Sequence, residues 1–360
     1  MMKKLILKKY KGFDWVLMGS ALGIFVLGLL FLFSATYPYN MGFVLRQVVW
    51  FLLGSLMLMW IVNINYRKIV GIGNIFYFLT IALLFAVLLF GSRRLGAQRW
   101  LALGAFNLQP SELGKLFITL ALVQYLTTHK AYTRLKNIFV PLLMTVVPFV
   151  LILKEPDLGT ALIFVPILFM LLYVWGAPIK YLFSMIGAGV LLSPLGWFLL
   201  KDYQKERLLV FIDPGVDPLG AGYTIIQSKI AIGSGGIFGK GWLAGTQNQL
   251  NFLAERHTDF IFSVAGEEWG FFGGIVLITL YYILIRRAMT IVEKTTDPCG
   301  KLLAAGLLTM IAVQVIVNLS MTMGFMPVVG LPLPLVSYGG SSLLVTMTAL
   351  GLLQSIAIHR

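Results

Sequence analysis

Charge is what this sequence has least of. Only 12% of its 360 residues are Asp, Glu, Lys or Arg, against 59% hydrophobic residues and a mean hydropathy of +0.89. That balance, with repeated apolar runs of about twenty residues, excludes an ordinary water-soluble domain and points to a polytopic membrane protein. A single cysteine, Cys299, excludes an internal disulfide framework and a cysteine metal cluster. Acids are half as common as bases, 14 against 28, which gives a formal charge of +14. The bases form no stripe. They are scattered over short segments between apolar runs, which speaks for membrane topology and lipid contact and against nucleic acid. With no internal repeat, low-complexity tract or second soluble domain, residues 1–360 read as a single transmembrane domain.

Apolar runs long enough to cross a bilayer lie at 13–35, 43–62, 72–91, 111–127, 138–153, 159–175, 180–200, 260–285, 302–323 and 340–357, predicting ten helices. The first follows the basic stretch MMKKLILKKYKG, but it is too long for a signal peptide and lacks a small-residue cleavage site, so it reads as an uncleaved span. With the N-terminus inside, more than half of the basic residues fall on the cytoplasmic side, including Lys3, Lys4, Lys8, Lys9, Lys11, Lys130 and Arg134. Of the acids only Asp14, Glu293 and Asp297 fall there. The expected architecture is an all-α polytopic integral membrane protein in a plasma membrane, with both termini cytoplasmic. Helices one to seven occupy 13–200, a long extracytoplasmic loop occupies 201–259, and helices eight to ten occupy 260–357. A structureless loop of that length is rare unless functional. Its later part, GYTIIQSKIAIGSGGIFGKGW, is apolar enough to rest in the interface or re-enter beside other helices.

The ionisable groups that remain are concentrated. Glu255, Arg256, His257, Asp259, Glu267 and Glu268 crowd one stretch, with Asp259 at the mouth of the eighth run and the two glutamates inside it. A carboxylate at that depth costs several kcal/mol unless it is paired, hydrated or protonated, so each is a site candidate by default. Asp259 also suits a helix N-cap, and His257 suits a metal ligand or a structural histidine. Glu267 and Glu268 point about 100° apart on a helix, which predicts that they do not share one cavity and that one pairs with Lys115 or Lys229.

Arg93, Arg94 and Arg99 lie on the outer side, where the charge rule disfavours them. Arginine forks suit phosphate oxygens, lipid headgroups or outer acids. Glu112 and Lys115, three apart, suit a buried ion pair or a site. Asp157 suits a cap on the sixth helix or a site residue, and Lys154 with Glu155 reads as a solvated pair. The glycines of 233–241 fail the Walker pattern, because Ser234 and Gly241 stand where Gly and Ser or Thr are needed. They fit tight backbone packing instead. From Asn318 to Ser342 prolines and glycines break the backbone at membrane depth, where Ser337 and its neighbours can line a cavity.

GAQRW with QPSELGK, KEPDLGTA, GSGGIFGKGW, FLAERHTDFIF followed by GEEWGF, and PLPLVSYGGSS resemble, in this order, the motifs of the SEDS family of bacterial shape, elongation, division and sporulation proteins. The resemblance spans residues near 13 to 357 and is closer to the elongation branch than to the division branch. One departure is Ala254, where such sequences carry proline. The resemblance implies a peptidoglycan glycosyltransferase that polymerises lipid II at the outer membrane face beside a class B penicillin-binding protein transpeptidase. It implies that Asp259 is the essential aspartate and that a divalent cation, Mg2+ or Mn2+, takes part. Arg93, Arg94, Arg99, Glu112, Lys115, Asp157, Arg256 and Ser337 are the expected substrate-binding residues. Arg256, one turn before Asp259, is expected to lower its pKa while partial desolvation raises it. A lipid II flippase and a non-enzymatic scaffold for the transpeptidase are the alternatives.

Overall fold

Backbone amides in lipid must be satisfied within the chain, so long apolar segments become helices. The computed structural model describes residues 12–37, 41–94, 97–103, 106–129, 136–200, 202–217 and 220–360. The basic flank with Lys3, Lys4, Lys8, Lys9 and Lys11, and the basic loop with Lys130 and Arg134, lie outside the described residues. Among the described residues the helices are α1 (Trp15–Thr36), α2 (Gly42–Val62), α3 (Tyr66–Gly71), α4 (Gly73–Phe90), α5 (Pro110–Thr128), α6 (Lys136–Lys154), α7 (Leu158–Trp175) and α8 (Ile179–Leu199). They continue with α9 (Asp202–Ile212), α10 (Ala221–Ser234), α11 (Thr246–Gln249), α12 (Ile261–Lys294), α13 (Pro298–Thr322) and α14 (Gly340–His359). Between α4 and α5 three short antiparallel strands, β1 (Ser92–Arg94), β2 (Ala97–Leu103) and β3 (Phe106–Leu108), form a small sheet in the order β1-β2-β3.

Each expected apolar run is helical, and among the described residues eight helices are long and apolar enough to cross a membrane. The chain is thus an almost entirely helical multi-pass membrane protein. α5 falls short because Glu112, Lys115 and polar residues lower its hydropathy, and the described apolar part of α8 is shorter, Ile179–Leu195. α14 and α13 are the most enclosed helices, while α2 and α4 leave most of their side chains outward. Asp14 joins the two ends of the chain: it caps Leu17 N at 2.9 Å, pairs with Arg287 at 2.7 Å, and exchanges hydrogen bonds with Gln354.

The expected long loop is mostly helical. α10 lies against α12, where Ser228 Oγ meets Ser263 Oγ at 2.7 Å and donates to the Thr322 carbonyl at 2.6 Å. The glycine-rich stretch after it repairs a break in a neighbour. α12 is interrupted at Gly270, whose φ of 62° and ψ of −157° are non-helical. Lys240 N and Gly241 N donate to the carbonyls of Glu267 and Glu268, both at 3.0 Å, while Phe271 N and Phe272 N donate to Gly236 and Ile237 at 2.9 and 3.1 Å. Irregular backbone at membrane depth is tolerated where protein supplies such partners. A Cβ on Gly239 would run into the Glu268 carbonyl, so close backbone approach is what these glycines permit.

The later part of a second break, between α13 and α14, is also buried, whereas Phe325 and Met326 at its start are exposed. Val329, Leu331, Leu333, Leu335 and Val336 point into the core. Side chains serve the exposed carbonyls: Asn318 donates to Leu331 O at 2.7 Å, Gln314 to Pro332 O at 2.9 Å, Tyr281 to Pro334 O at 2.5 Å, and Gln47 to Ser337 O at 3.0 Å.

Gly239→Ala has both a positive φ of 80° and a backbone clash against it, so it is expected to lower stability by more than ~1 kcal/mol. Gly19→Ala, where an added methyl meets nothing within 4 Å, is expected to be neutral. Thermal unfolding of the two purified variants in detergent compares them.

Candidate active site

Asp259 closes the turn that leads into α12, and the second break fixes that turn atom by atom. Tyr338 N donates to His257 O at 2.9 Å, Ser337 Oγ to Thr258 O at 2.5 Å, and Asn318 Nδ2 to Asp259 O at 3.0 Å. Consecutive carbonyls of residues 257, 258 and 259 are therefore all held by one facing surface. Leu333 N in turn donates to Ser337 Oγ at 2.8 Å, which orients that hydroxyl. The turn begins at Glu255, whose φ of +48° is rare for a residue with a side chain and is sustained by Thr258 N and Phe260 N donating to its carbonyl.

The Asp259 carboxylate faces the loop before α14, not the start of α12. Phe260 precedes the helix and its side chain caps nothing, so the capping alternative for Asp259 does not hold. A Cβ on Gly330 would stand 3.4 Å from Asp259 Oδ2 and 3.8 Å from Arg207 Nη1, so a residue without a side chain separates an acid from a base. Burial first, then the charge of Glu255, pushes the Asp259 carboxyl up to about 6, while Arg207 and, less strongly, Arg99 oppose the shift. The cation expected in that role, Arg256, instead donates to the Asn248 carbonyl. Arg207 is the residue that reading the sequence passed over. It belongs to the polar stretch KDYQKER, which becomes α9, and only the fold brings it beside Asp259.

Arg99 and Asp157 reach the same region from β2 and from the turn before α7. Arg99 Nε donates to Glu155 O at 3.3 Å, its guanidinium also donates to Pro156 O, and Nη1 lies 3.9 Å from Asp157 Oδ1. Asp157 is a cap, accepting from Thr160 N at 3.2 Å, and it also accepts from Ser111 Oγ and Gln109 Nε2, both at 3.2 Å. The expected solvated pair of Lys154 and Glu155 is absent: Lys154 is exposed, whereas Glu155 is fully buried with neither carboxyl oxygen hydrogen-bonded among the described residues. Burial and the neighbouring Asp157 raise its pKa to about 9, so it is neutral near pH 7.

Beneath this region Lys115 joins Glu112 at 2.8 Å and Gln314 Oε1 at 2.9 Å, all three buried. Because Gln314 also holds Pro332 O, the pair supports the second break. Gln314 and Asn318, four residues apart in an apolar helix, share a face; that spacing is the signal that could have found them. Arg93 and Arg94 lie in β1, opposite Gln98 and Ala97 of β2, and their side chains lie outside the described residues. His257 packs near Phe43, ring centroids 4.8 Å apart, and burial lowers its pKa, which suits a neutral structural histidine.

Glu267 and Glu268 do face one region, contrary to expectation, because the 240–249 loop wraps the helix they sit on. Glu267 Oε1 accepts from Lys240 at 2.7 Å and from Thr246 Oγ1 and Gln247 N at 3.0 Å. Glu268 accepts from Ser34 Oγ at 2.5 Å and Leu243 N at 3.3 Å. Neither bonds to Lys115 or Lys229; Lys240 is the partner, and the carboxylates tie the loop that Arg256 also holds.

The chain is similar to known proteins over nearly its whole length. A family model described as cell cycle protein, FtsW/RodA/SpoVE, matches residues 14–360. Peptidoglycan glycosyltransferase MrdB of Escherichia coli (strain K12) is 42% identical over 344 residues, covering 94% of this chain and 92% of that protein. Stage V sporulation protein E of Bacillus subtilis (strain 168) is 34% identical over 355 residues, covering 96% of each. Among solved structures, a chain described under structural coordination of polymerization and crosslinking by a peptidoglycan synthase complex superposes with a TM-score of 0.82 at 37% identity, covering 96% of this chain and 97% of that one. Rod shape determining protein RodA of Thermus thermophilus gives a TM-score of 0.73 at 32% identity, with 96% of each chain covered.

Lys115→Ala leaves Glu112 buried without its cation and is expected to cost about 3–5 kcal/mol. The double replacement Glu112→Gln with Lys115→Met removes both charges and is expected to recover most of that loss. A double-mutant comparison of unfolding midpoints measures it.

Proposed function

Because this chain belongs to the FtsW/RodA/SpoVE family of cell cycle proteins, we propose that it is a peptidoglycan glycosyltransferase that polymerises lipid II at the outer face of the plasma membrane during elongation. The observation that carries the site assignment is Asp259: a carboxylate with a pinned backbone, a raised pKa and an arginine across a glycine from it.

Chain growth requires the 4-hydroxyl of an acceptor sugar to attack the anomeric carbon of a lipid-linked donor, with undecaprenyl pyrophosphate leaving. A hydroxyl is a weak nucleophile near neutral pH, so a carboxylate within reach accelerates attack by taking its proton. Asp259 fits that task because a base with a pKa of about 6 is mostly charged at pH 7 yet basic enough to accept a proton. Negative charge develops on the departing diphosphate, and guanidinium groups stabilise it. Arg99 is committed to the turn at 155–157, so its contribution is to hold that turn and add positive potential. Arg93, Arg94 and Arg256 remain proposed substrate contacts. Glu112, Lys115, Asp157 and Ser337 act on substrate through the surfaces they support.

Among the described residues no three His, Cys, Asp or Glu side chains gather to hold a metal, so the residues present do not fit a protein-held ion and no step here runs through one. Mg2+ or Mn2+ is proposed only as a counter-ion carried by the diphosphate, a common way for Mg2+ to bind. The proposed partner is a class B penicillin-binding protein transpeptidase, a reading supported by the similarity to a chain of a peptidoglycan synthase complex. Asp259, Arg207, Arg99 and Asp157 meet at one end of the bundle, which favours one-sided chemistry over the two-sided path a flippase needs.

Asp259→Asn is expected to lower polymerisation of lipid II by at least ~100-fold while the protein still inserts and binds its partner. In the wild type the base must be deprotonated, so activity is expected to rise with pH through a midpoint near 6 and then level off. Gel analysis of glycan strands made by purified protein, across pH 5 to 8 (roughly the range that brackets this midpoint), tests both. Full activity in the amide variant would refute the assignment.

A further inference from the structure

Arg207 is the cation that the fold brings beside Asp259. It sits on α9, half-buried, where Gln204 and Val210 of the same helix turn inward and Asp202 and Glu206 turn out. Its Nη1 donates to the Val328 carbonyl at 3.2 Å, which anchors the guanidinium on the second break. From that anchor it stands across Gly330 from Asp259 Oδ2. Gly330 has a φ of +72°, a conformation that L side chains rarely adopt.

Arg207 shares with its neighbouring cations that it has a protein partner; what singles it out is its place beside Gly330 and Asp259. Arg99 is clamped to two carbonyls and Asp157, Lys115 to Glu112 and Gln314, Lys240 to Glu267, and Arg256 to Asn248 O. We propose that Arg207 is a diphosphate-facing cation of the active site: it binds the pyrophosphate of the lipid-linked donor beside Gly330 and Asp259. The proposal rests on the glycosyltransferase reading and adds a residue and a ligand contact to it. A guanidinium suits the task because its fork meets two phosphate oxygens at once, whereas an ammonium offers a point charge. The same positive charge lowers the proton affinity of Asp259, against the effects of burial and of Glu255. The charged groups acting on Asp259 are Glu255 from its own turn, Arg207 from α9, Arg99 from β2 and Asp157 from the turn before α7.

The test uses the full chain in nanodiscs, with undecaprenyl pyrophosphate as the binding probe and lipid II polymerisation followed across pH. Arg207→Gln is expected to weaken binding of the probe about ten- to hundredfold, the range of a charged hydrogen-bonding group, and to move the acid limb of activity to higher pH. Glu255→Gln removes a negative charge instead and is expected to move that limb to lower pH with probe binding retained. Arg207→Lys is expected to keep the limb near its wild-type position while binding the probe less tightly than arginine does. Unchanged probe affinity and an unmoved limb in Arg207→Gln would overturn the proposal and leave Arg207 as an anchor for α9. Should Arg207→Gln fail to fold, Arg207→Lys decides: wild-type affinity for the probe would overturn the proposal. Retained polymerisation in Asp259→Asn would instead sink the base assignment, and the probe affinity of the Arg207 variants would still report on the diphosphate contact by itself.

Discussion

The hydrogen bonds that pin the carbonyls of residues 257, 258 and 259 are the interactions on which the rest of this structure depends. They come from a break in the helical order, and a break at membrane depth survives only if every freed backbone group finds a protein partner. Asn318, Ser337 and the Tyr338 amide meet that demand on one side, and Gln314, Gln47 and Tyr281 meet it on the other. The same atoms that make the irregular backbone tolerable thus also fix the place of Asp259. Fold and site share one set of bonds.

The second device is the pairing of glycine with carboxylate. At the Gly270 break a glycine-rich hairpin approaches so closely that its amides bond to the carbonyls of Glu267 and Glu268, whose side chains reach back to the loop that follows. Each carboxylate gathers several donors, which is what makes a buried acid bearable. Glu155 takes the other route, staying neutral where neither carboxyl oxygen meets a donor among the described residues. Asp259 lies between these extremes, with enough desolvation to make it basic and enough positive charge nearby to keep it ionised. That middle position is what proton abstraction from a sugar hydroxyl requires.

Much of this was legible in the order of residues. The apolar runs had to be helices, the cluster around Asp259 had to be special in so uncharged a chain, and the prolines and glycines after Asn318 had to break the backbone. What escaped was set by contacts between distant segments. Arg207 reads as one base among several in a polar loop until α9 turns it toward Gly330. Arg256 is close to Asp259 along the chain but points to Asn248. The angle between Glu267 and Glu268 was sound for a helix, yet a loop that wraps around that helix can reach both. Glu155 and Lys154 are adjacent residues whose side chains part at the end of α6, one into the core and one outward.

The proposed role of Asp259 requires that the fold tune its carboxyl group for proton transfer. Its most direct measurement is the titration of that group itself, followed by infrared difference spectra of the carboxyl band between the wild type and Asp259→Asn. A midpoint near 6 is predicted; a midpoint at the ordinary aspartate value of about 4 would contradict the account.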